Sequence, residues 1–307
     1  MNAELPQRFL GSTGERVSII GLGGFHIGTQ SDEKESIAIV RTALDNGITF
    51  LDNCWDYNEG GSEIRMGKAL RDGYREKAFL MTKVDGRDKK TAQHQIDESL
   101  RRLQTDVIDL MQFHEVIQES DPDRIFAAGG AMEAFREAQE AGKFRYFGFT
   151  GHKSPYMMLK MLRLAAENGV RFDTVQMPLN VMDAHFDSFQ KKVLPGLVEQ
   201  NVGIVAMKPI GNKIILNSKT VSAPECLRYA MSLPVSVVVA GCDSMEILQQ
   251  ALDAARNFTP LSDAERTALL ERTADAARAG EFELYKTNDI FDATFRNPQW
   301  LDESLAG

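Results

Sequence analysis

Ser36-Ile37-Ala38-Ile39-Val40-Arg41-Thr42-Ala43-Leu44-Asp45-Asn46-Gly47-Ile48-Thr49-Phe50-Leu51-Asp52 holds the unit from which the chain is built. Ile37, Val40 and Leu44 recur at the spacing of one helix face. Asp45-Asn46-Gly47 then stops the helix, because glycine accepts a left-handed C-cap without a Cβ penalty. The apolar run 49–52 follows as a short strand ending on an acid. The same order returns at 132–141, Gly142 and 146–150, and again at 156–167, Asn168-Gly169 and 172–176. It returns once more at 189–200, Asn201-Val202-Gly203 and 204–207. Residues 223–232 lead into 235–239, and 245–258 close the series.

With the run 17–22 and the runs ending at Lys83 and His114, there are eight strand candidates alternating with helices. Alternating β and α implies a parallel sheet. Eight such units within about 240 residues suit a closed (β/α)8 barrel, a TIM barrel. An open doubly wound sheet is the competitor, but Gly21-Leu22-Gly23-Gly24-Phe25-His26 lacks the third glycine of a Gly-x-Gly-x-x-Gly turn. The expected α/β fold is one domain over 1–307, with an N-terminal hairpin over 7–16 turning at Gly11-Ser12-Thr13-Gly14 and plugging the barrel floor. Residues 260–307 form a helical and aromatic extension of that domain. Ser262 is placed to cap a helix over 263–279. Phe282, Tyr285, Phe291, Phe295 and Trp300 read as a strap on the barrel wall rather than as a pocket wall.

Composition narrows the class. At 307 residues and 43% hydrophobic the chain can bury a large core. A net charge of -9 argues against nucleic acid, which needs a basic stripe. No run reaches the ~20 apolar residues of a membrane span. Met1-Asn2-Ala3-Glu4-Leu5-Pro6 lacks the pattern of a secretory signal. Cys54, Cys226 and Cys242 are odd in number and lack zinc spacing, which fits a reducing, cytoplasmic setting.

Asp52, Lys83 and His114 each end a strand, and Tyr57 follows Asp52 by one short loop. In a parallel barrel the C-terminal strand ends converge on one face. A lysine beside a phenol stabilises the phenolate and would lower its pKa, a carboxylate keeps the lysine charged, and an imidazole can donate to a carbonyl. Together these groups form a proton-transfer site. Taken singly, each has an ordinary structural explanation: a turn acid, loop packing, a rim charge, a core histidine.

Asp52-x4-Tyr57, Thr82-Lys83 and Asp109-Leu110-Met111-Gln112-Phe113-His114 resemble the catalytic tetrad segments of the aldo-keto reductases. The resemblance runs from about Val17 to Phe258 and extends to Gly21-Leu22-Gly23, Gly60-Gly61-Ser62-Glu63 and Gly148-Phe149-Thr150. It implies reversible reduction of an aldehyde or ketone, with Tyr57 as proton donor, Lys83 lowering its pKa, Asp52 pairing with Lys83, and His114 orienting the carbonyl. Hydride would come from a nicotinamide cofactor. By the same resemblance Gly23, Thr150, Gln176, Met207, Lys208, Pro209, Gly211, Gly241 and Ser244 contact that cofactor. NADP(H) comes first, with NAD(H) as the alternative.

Some positions depart from the family pattern. Gly151 stands where an Asn is usual, and Met207 where a Tyr often stacks on the nicotinamide. After the last strand, Ile247 stands near the usual Arg and Ala251 near the usual Asn, while Asp243 would disfavour a 2′-phosphate. His152 with His114 and Asp52 could also be read as a metal cluster, but no His-x-His follows the first strand, so no metal is expected and His152 reads as a polar lid residue near the cofactor. Phe25, His26 and Trp55 are candidate substrate contacts. A cofactor-binding regulatory or redox-sensing subunit with vestigial turnover is the second functional reading. The expected partner is a small carbonyl compound, without nucleic acid or membrane; the oligomeric state is not legible.

Overall fold

Side chains alternate along a strand, so a barrel strand sends every second residue inward. The computed structural model, which describes residues 4–302, shows that alternation closing on itself. A hairpin of β1 (Gln7–Phe9) and β2 (Arg16–Ser18) precedes eight strands: β3 (Ile20–Gly23), β4 (Phe50–Asp52), β5 (Phe79–Val84), β6 (Ile108–Phe113), β7 (Phe144–Thr150), β8 (Thr174–Pro178), β9 (Gly203–Met207) and β10 (Val237–Gly241). Each pairs in parallel with the next, and β10 returns to β3, giving a closed α/β barrel. Among the described residues no helix is long and apolar enough to cross a membrane.

Phe50, Phe79, Met81, Leu110, Val205, Val237 and Val239 form one buried cluster with Leu10 and Val17 of the hairpin. The hairpin therefore plugs the barrel floor, as the sequence suggested. Gly11 is what allows this. At φ +54 it sits against the start of β9, and a Cβ there would come within 2.2 Å of Gly203 N. Leu51, Leu80, Met111, Phe113 and Val175 belong to the second, larger cluster, which holds many of the helices' apolar residues. The period of two continues up each strand. Asp52 follows inward Phe50 by two, Lys83 follows Met81 by two, and Gln112 and His114 continue from Leu110.

Three expectations need correction. The first barrel strand begins at Ile20, because Arg16–Ser18 pairs with β1 instead. The expected helix over 189–200 is two pieces, Phe189–Lys192 and Leu194–Glu199. Pro195 lacks the N–H that would continue the helical ladder. The tail is a strap on the wall only at Phe282, which packs on the larger cluster. Short helices at Leu284–Thr287, Ala293–Arg296 and Pro298–Trp300 bring Tyr285, Phe291 and Trp300 to the barrel mouth, where they line the main cavity. Polar groups explain the placement: Glu115 accepts from Thr294 N at 2.8 Å, and Arg87 N donates to Leu301 O at 2.8 Å. Residues 303–307 of the expected extension, and 1–3 of the expected domain, lie outside the described residues.

Arg87 ties these mouth loops together. Fully buried, its guanidinium donates to Asp85 O at 2.7 Å, His114 O at 2.6 Å and Glu115 O at 2.9 Å, and meets Asp121 at 3.1 Å. Arg87→Met is expected to leave Asp121 and three carbonyls without this donor and to cost about 3–5 kcal/mol, read by urea unfolding.

Candidate active site

The strand ends bring the four sequence-selected residues together. The Lys83 ammonium is buried and paired with the Asp52 carboxylate. It also donates to Asn53 O at 2.7 Å and to the Tyr57 hydroxyl at 3.3 Å. Gln176 Nε2 donates to the other Asp52 oxygen at 2.7 Å, so that carboxylate is held from both sides. The Tyr57 and His114 rings meet edge to face at 5.8 Å, and Phe25 meets Tyr57 the same way at 5.5 Å. Asp52, Tyr57, Lys83 and His114 all line one cavity of about 810 Å³.

The charges in this site do not behave as the sequence suggested. Burial works against the Lys83 ammonium, but Asp52 and Cys54 outweigh it and its pKa stands above the ordinary value. Burial, with Asp52, Cys54, Asp56 and Glu115 adding to it, holds the Tyr57 phenol well above its ordinary pKa. Desolvation and the neighbouring acids outweigh whatever lowering Lys83 supplies. Tyr57 is a neutral O–H at working pH. Burial pushes the His114 imidazole down, towards its neutral form.

Of the residues expected to contact a cofactor, Gly23, Thr150, Met207, Lys208, Pro209, Gly211 and Gly241 line the cavity, whereas Gln176 and Ser244 do not. Gln176 Nε2 is bonded to Asp52 while its buried Oε1 has no partner among the described residues, and Ser244 caps the helix Met245–Arg256 by accepting from Ile247 N at 3.3 Å. Phe25 and His26 line the cavity as expected. Trp55 does not; its indole donates to Glu98 at 2.7 Å and its ring meets Trp300 at 6.0 Å. His152 lines the cavity and pairs with Asp292 of the tail at 3.0 Å. Leu216, Pro224, Leu227, Ile247, Gln250 and Ala251 also line the cavity, as does Lys213, which is paired with Asp243 at 2.9 Å.

Sequence reasoning missed the acids behind the site. Asp85 Oδ1 lies 2.8 Å from His114 Nδ1, and Asp56 Oδ1 lies 3.6 Å from the same atom. Glu115 joins the tail to His114's loop. The available signal was weak: Asp85 and Glu115 stand just past a strand end, a common place for turn acids. The metal cluster weighed from sequence, His152 with His114 and Asp52, is not what the fold assembles. It instead gathers ligand-type atoms of Cys54, Asp56, Asp85 and His114 within 4.8 Å of one another.

A closed parallel barrel with an acid, a phenol, an amine and an imidazole at its C-terminal mouth defines a class of barrel enzyme built for proton transfer at a carbonyl. Comparison with known proteins gives the family. Residues 19–225 match the model of the Aldo/keto reductase family. The chain is 30% identical over 228 residues to the uncharacterized oxidoreductase YrpG of Bacillus subtilis (strain 168), covering 67% of each chain. It is 33% identical over 201 residues to the aldo-keto reductase YhdN of the same organism, covering 61% of this chain but only 56% of the relative. Among solved structures, the holo form of aldo-keto reductase AKR11C1 from Bacillus halodurans superposes with a TM-score of 0.73 at 25% identity, covering 88% of this chain and 96% of that one. The chain belongs to the aldo/keto reductase family. It is accordingly an NAD(P)H-dependent oxidoreductase.

Cys54, Cys226 and Cys242 are all buried, and burial pushes the thiols up, to about 12 for Cys226 and Cys242. Ellman's reagent is therefore expected to titrate less than one thiol per native chain and all three in guanidinium.

Proposed function

We propose that this protein reduces an aldehyde or ketone to the alcohol, reversibly, with Tyr57 as proton donor. One observation carries the reading: a neutral phenol at the cavity wall touches a buried, charged lysine whose counter-ion is fixed from two sides. As the carbonyl oxygen gains electrons, Tyr57 passes its proton to it. The phenolate that remains lies 3.3 Å from the Lys83 ammonium, which stabilises it at the moment it forms. Asp52 keeps that ammonium charged and in place. His114 offers a second polar contact to the carbonyl oxygen from the adjacent strand end.

The cavity suits a nicotinamide dinucleotide. Backbone at Gly23, Gly211 and Gly241 forms part of its wall, and it reaches from Tyr57 to the first turn of helix Met245–Arg256. At Gly241 a Cβ would come within 2.3 Å of the His26 ring, so only glycine leaves this wall its shape. Thr150, Met207, Lys208 and Pro209 would hold the nicotinamide half. Bound there, the cofactor supplies the hydride. Resemblance to the family places NADP(H) first. The Lys213–Asp243 pair at the cavity wall supports NAD(H) as a competent alternative, since it leaves that cation already neutralised. A cytoplasmic setting and a small carbonyl substrate complete the reading.

Tyr57→Phe is expected to lower kcat/KM for carbonyl reduction by about a hundredfold or more while leaving dinucleotide binding in place, as read by fluorescence titration. Turnover of the variant at the wild-type rate would remove Tyr57 as the donor. A wild type that binds dinucleotide but reduces no carbonyl would favour the regulatory reading instead. Asp243→Asn frees Lys213 and removes an anion from the cavity wall. It is expected to tighten NADPH about threefold relative to NADH in side-by-side titrations.

A further inference from the structure

His114 presents two ring nitrogens, and the fold uses one of them. Nδ1 lies 2.8 Å from Asp85 Oδ1, which leaves Nε2 as the atom available to the cavity that His114 lines. The state of Asp85 therefore decides what Nε2 can do. If Asp85 were ionised it would accept the Nδ1 hydrogen, and a neutral imidazole would then turn a lone pair on Nε2 towards the substrate. A lone pair cannot donate to a carbonyl oxygen.

The surroundings of Asp85 do not suit an anion. The side chain is completely buried, and among the described residues its Oδ2 has no hydrogen-bond partner and its carboxyl bonds only His114. A second acid, Asp56, places an equally unpartnered Oδ1 3.6 Å from the same ring nitrogen. Two buried carboxylates facing one donor, each with a bare oxygen, would be strongly unfavourable. A hydrogen on Asp85 removes the conflict.

We propose that Asp85 is a positioning residue that works as a neutral carboxylic acid: it donates its hydrogen to His114 Nδ1, fixes the imidazole as the Nε2–H tautomer, and so aims an N–H donor at the substrate carbonyl. This rests on the carbonyl-reduction reading above. The charges around Asp85 agree with it. Burial pushes its carboxyl up to about 8, with Glu115 adding to the rise, Arg87 and Lys83 opposing it, and Glu63 adding further. Asp56, on the loop after β4, is raised to about 7, chiefly by burial and by Asp85. As pH climbs through about 8 Asp85 loses its proton, the imidazole hydrogen moves to Nδ1, and the donor is lost. Tyr57 titrates well above its ordinary value, so a fall near this pH is not its own.

The same atoms could be read as a cation site with Cys54. Burial, however, holds the Cys54 thiol protonated, bonded to Lys83 O at 3.6 Å and to Asp56, and the Lys83 and Arg87 cations already act on Asp85. Proton sharing fits this setting better than a dication.

The test uses the full chain labelled with ¹⁵N-histidine. His114 ring signals are identified by their loss in His114→Asn. At neutral pH Nε2 is expected to carry the hydrogen and Nδ1 to be bare, exchanging roles above about pH 8. A Nδ1–H signal at neutral pH would overturn the proposal, and so would one Zn²⁺ held per chain after exhaustive dialysis. In steady state, wild-type kcat is expected to fall about tenfold per pH unit on the alkaline side. Asp85→Asn also offers Nδ1 an N–H but cannot titrate. It should lose that alkaline limb and outpace the wild type at about pH 9.5. A fall of a hundredfold or more at neutral pH in Asp85→Asn would show that Asp85 acts as an anion. A wild type that reduces no carbonyl at any pH would sink the reductase reading, and the ring signals would still decide the tautomer.

Discussion

The buried pair of Lys83 and Asp52 is the constraint around which the barrel mouth is arranged. Both side chains are almost wholly buried at the cavity wall, so each is tolerable only with its partner and a full set of hydrogen bonds. Asn53 O and Tyr57 complete the lysine, and Gln176 completes the carboxylate from the opposite side of the barrel. Three strand ends and one loop are thereby locked to each other. The phenol is positioned by the same lock, because its contact with Lys83 is one of the bonds that makes burial of the ammonium acceptable. Stability and chemical placement have a common source here, which is why the site has so little freedom.

How much of this could be read in the sequence depends on which physical signal carried it. The barrel was legible because eight short apolar runs alternate with helix-period stretches, four of them after a glycine stop, and that syntax is local. Asp52, Lys83 and His114 were legible because each is the polar residue that ends such a run, and a period of two sends it inward. The tail was misread for the opposite reason. Its aromatic residues looked like wall packing, while its position is set by Thr294 on Glu115, Asp292 on His152 and a backbone bond from Arg87 to Leu301. Those partners lie far apart along the chain and follow no period. The break at Pro195 falls inside a stretch whose flanking apolar pattern reads as one helix.

The protonation states were the least legible part. A lysine next to a tyrosine suggests a lowered phenol pKa, but burial and four neighbouring acidic groups dominate in the folded chain. Asp85 illustrates the same limit. In sequence it is one more acid in Lys83-Val84-Asp85-Gly86-Arg87; in the fold it is sealed from water against the ring of His114. Desolvation is a property of the closed barrel, and no local pattern encodes it. The residues expected to contact a cofactor fall between these cases: their backbone placement follows from the strand ends, while the bonds of Gln176 Nε2 to Asp52 and of Ser244 to its own helix follow no local pattern.

The cross-mouth bonds of the tail also impose an order in time. Asp52, Tyr57, Lys83 and His114 leave the ribosome early, but the groups that complete their surroundings come much later. Gln95 waits 205 residues for Trp300 O, and Glu115 waits 179 residues for Thr294. At ordinary synthesis rates that interval is about 10–40 s. The reactive centre is thus specified between residues 52 and 114 and roofed near residue 300, so closing the mouth waits on bonds made across more than half of the described chain.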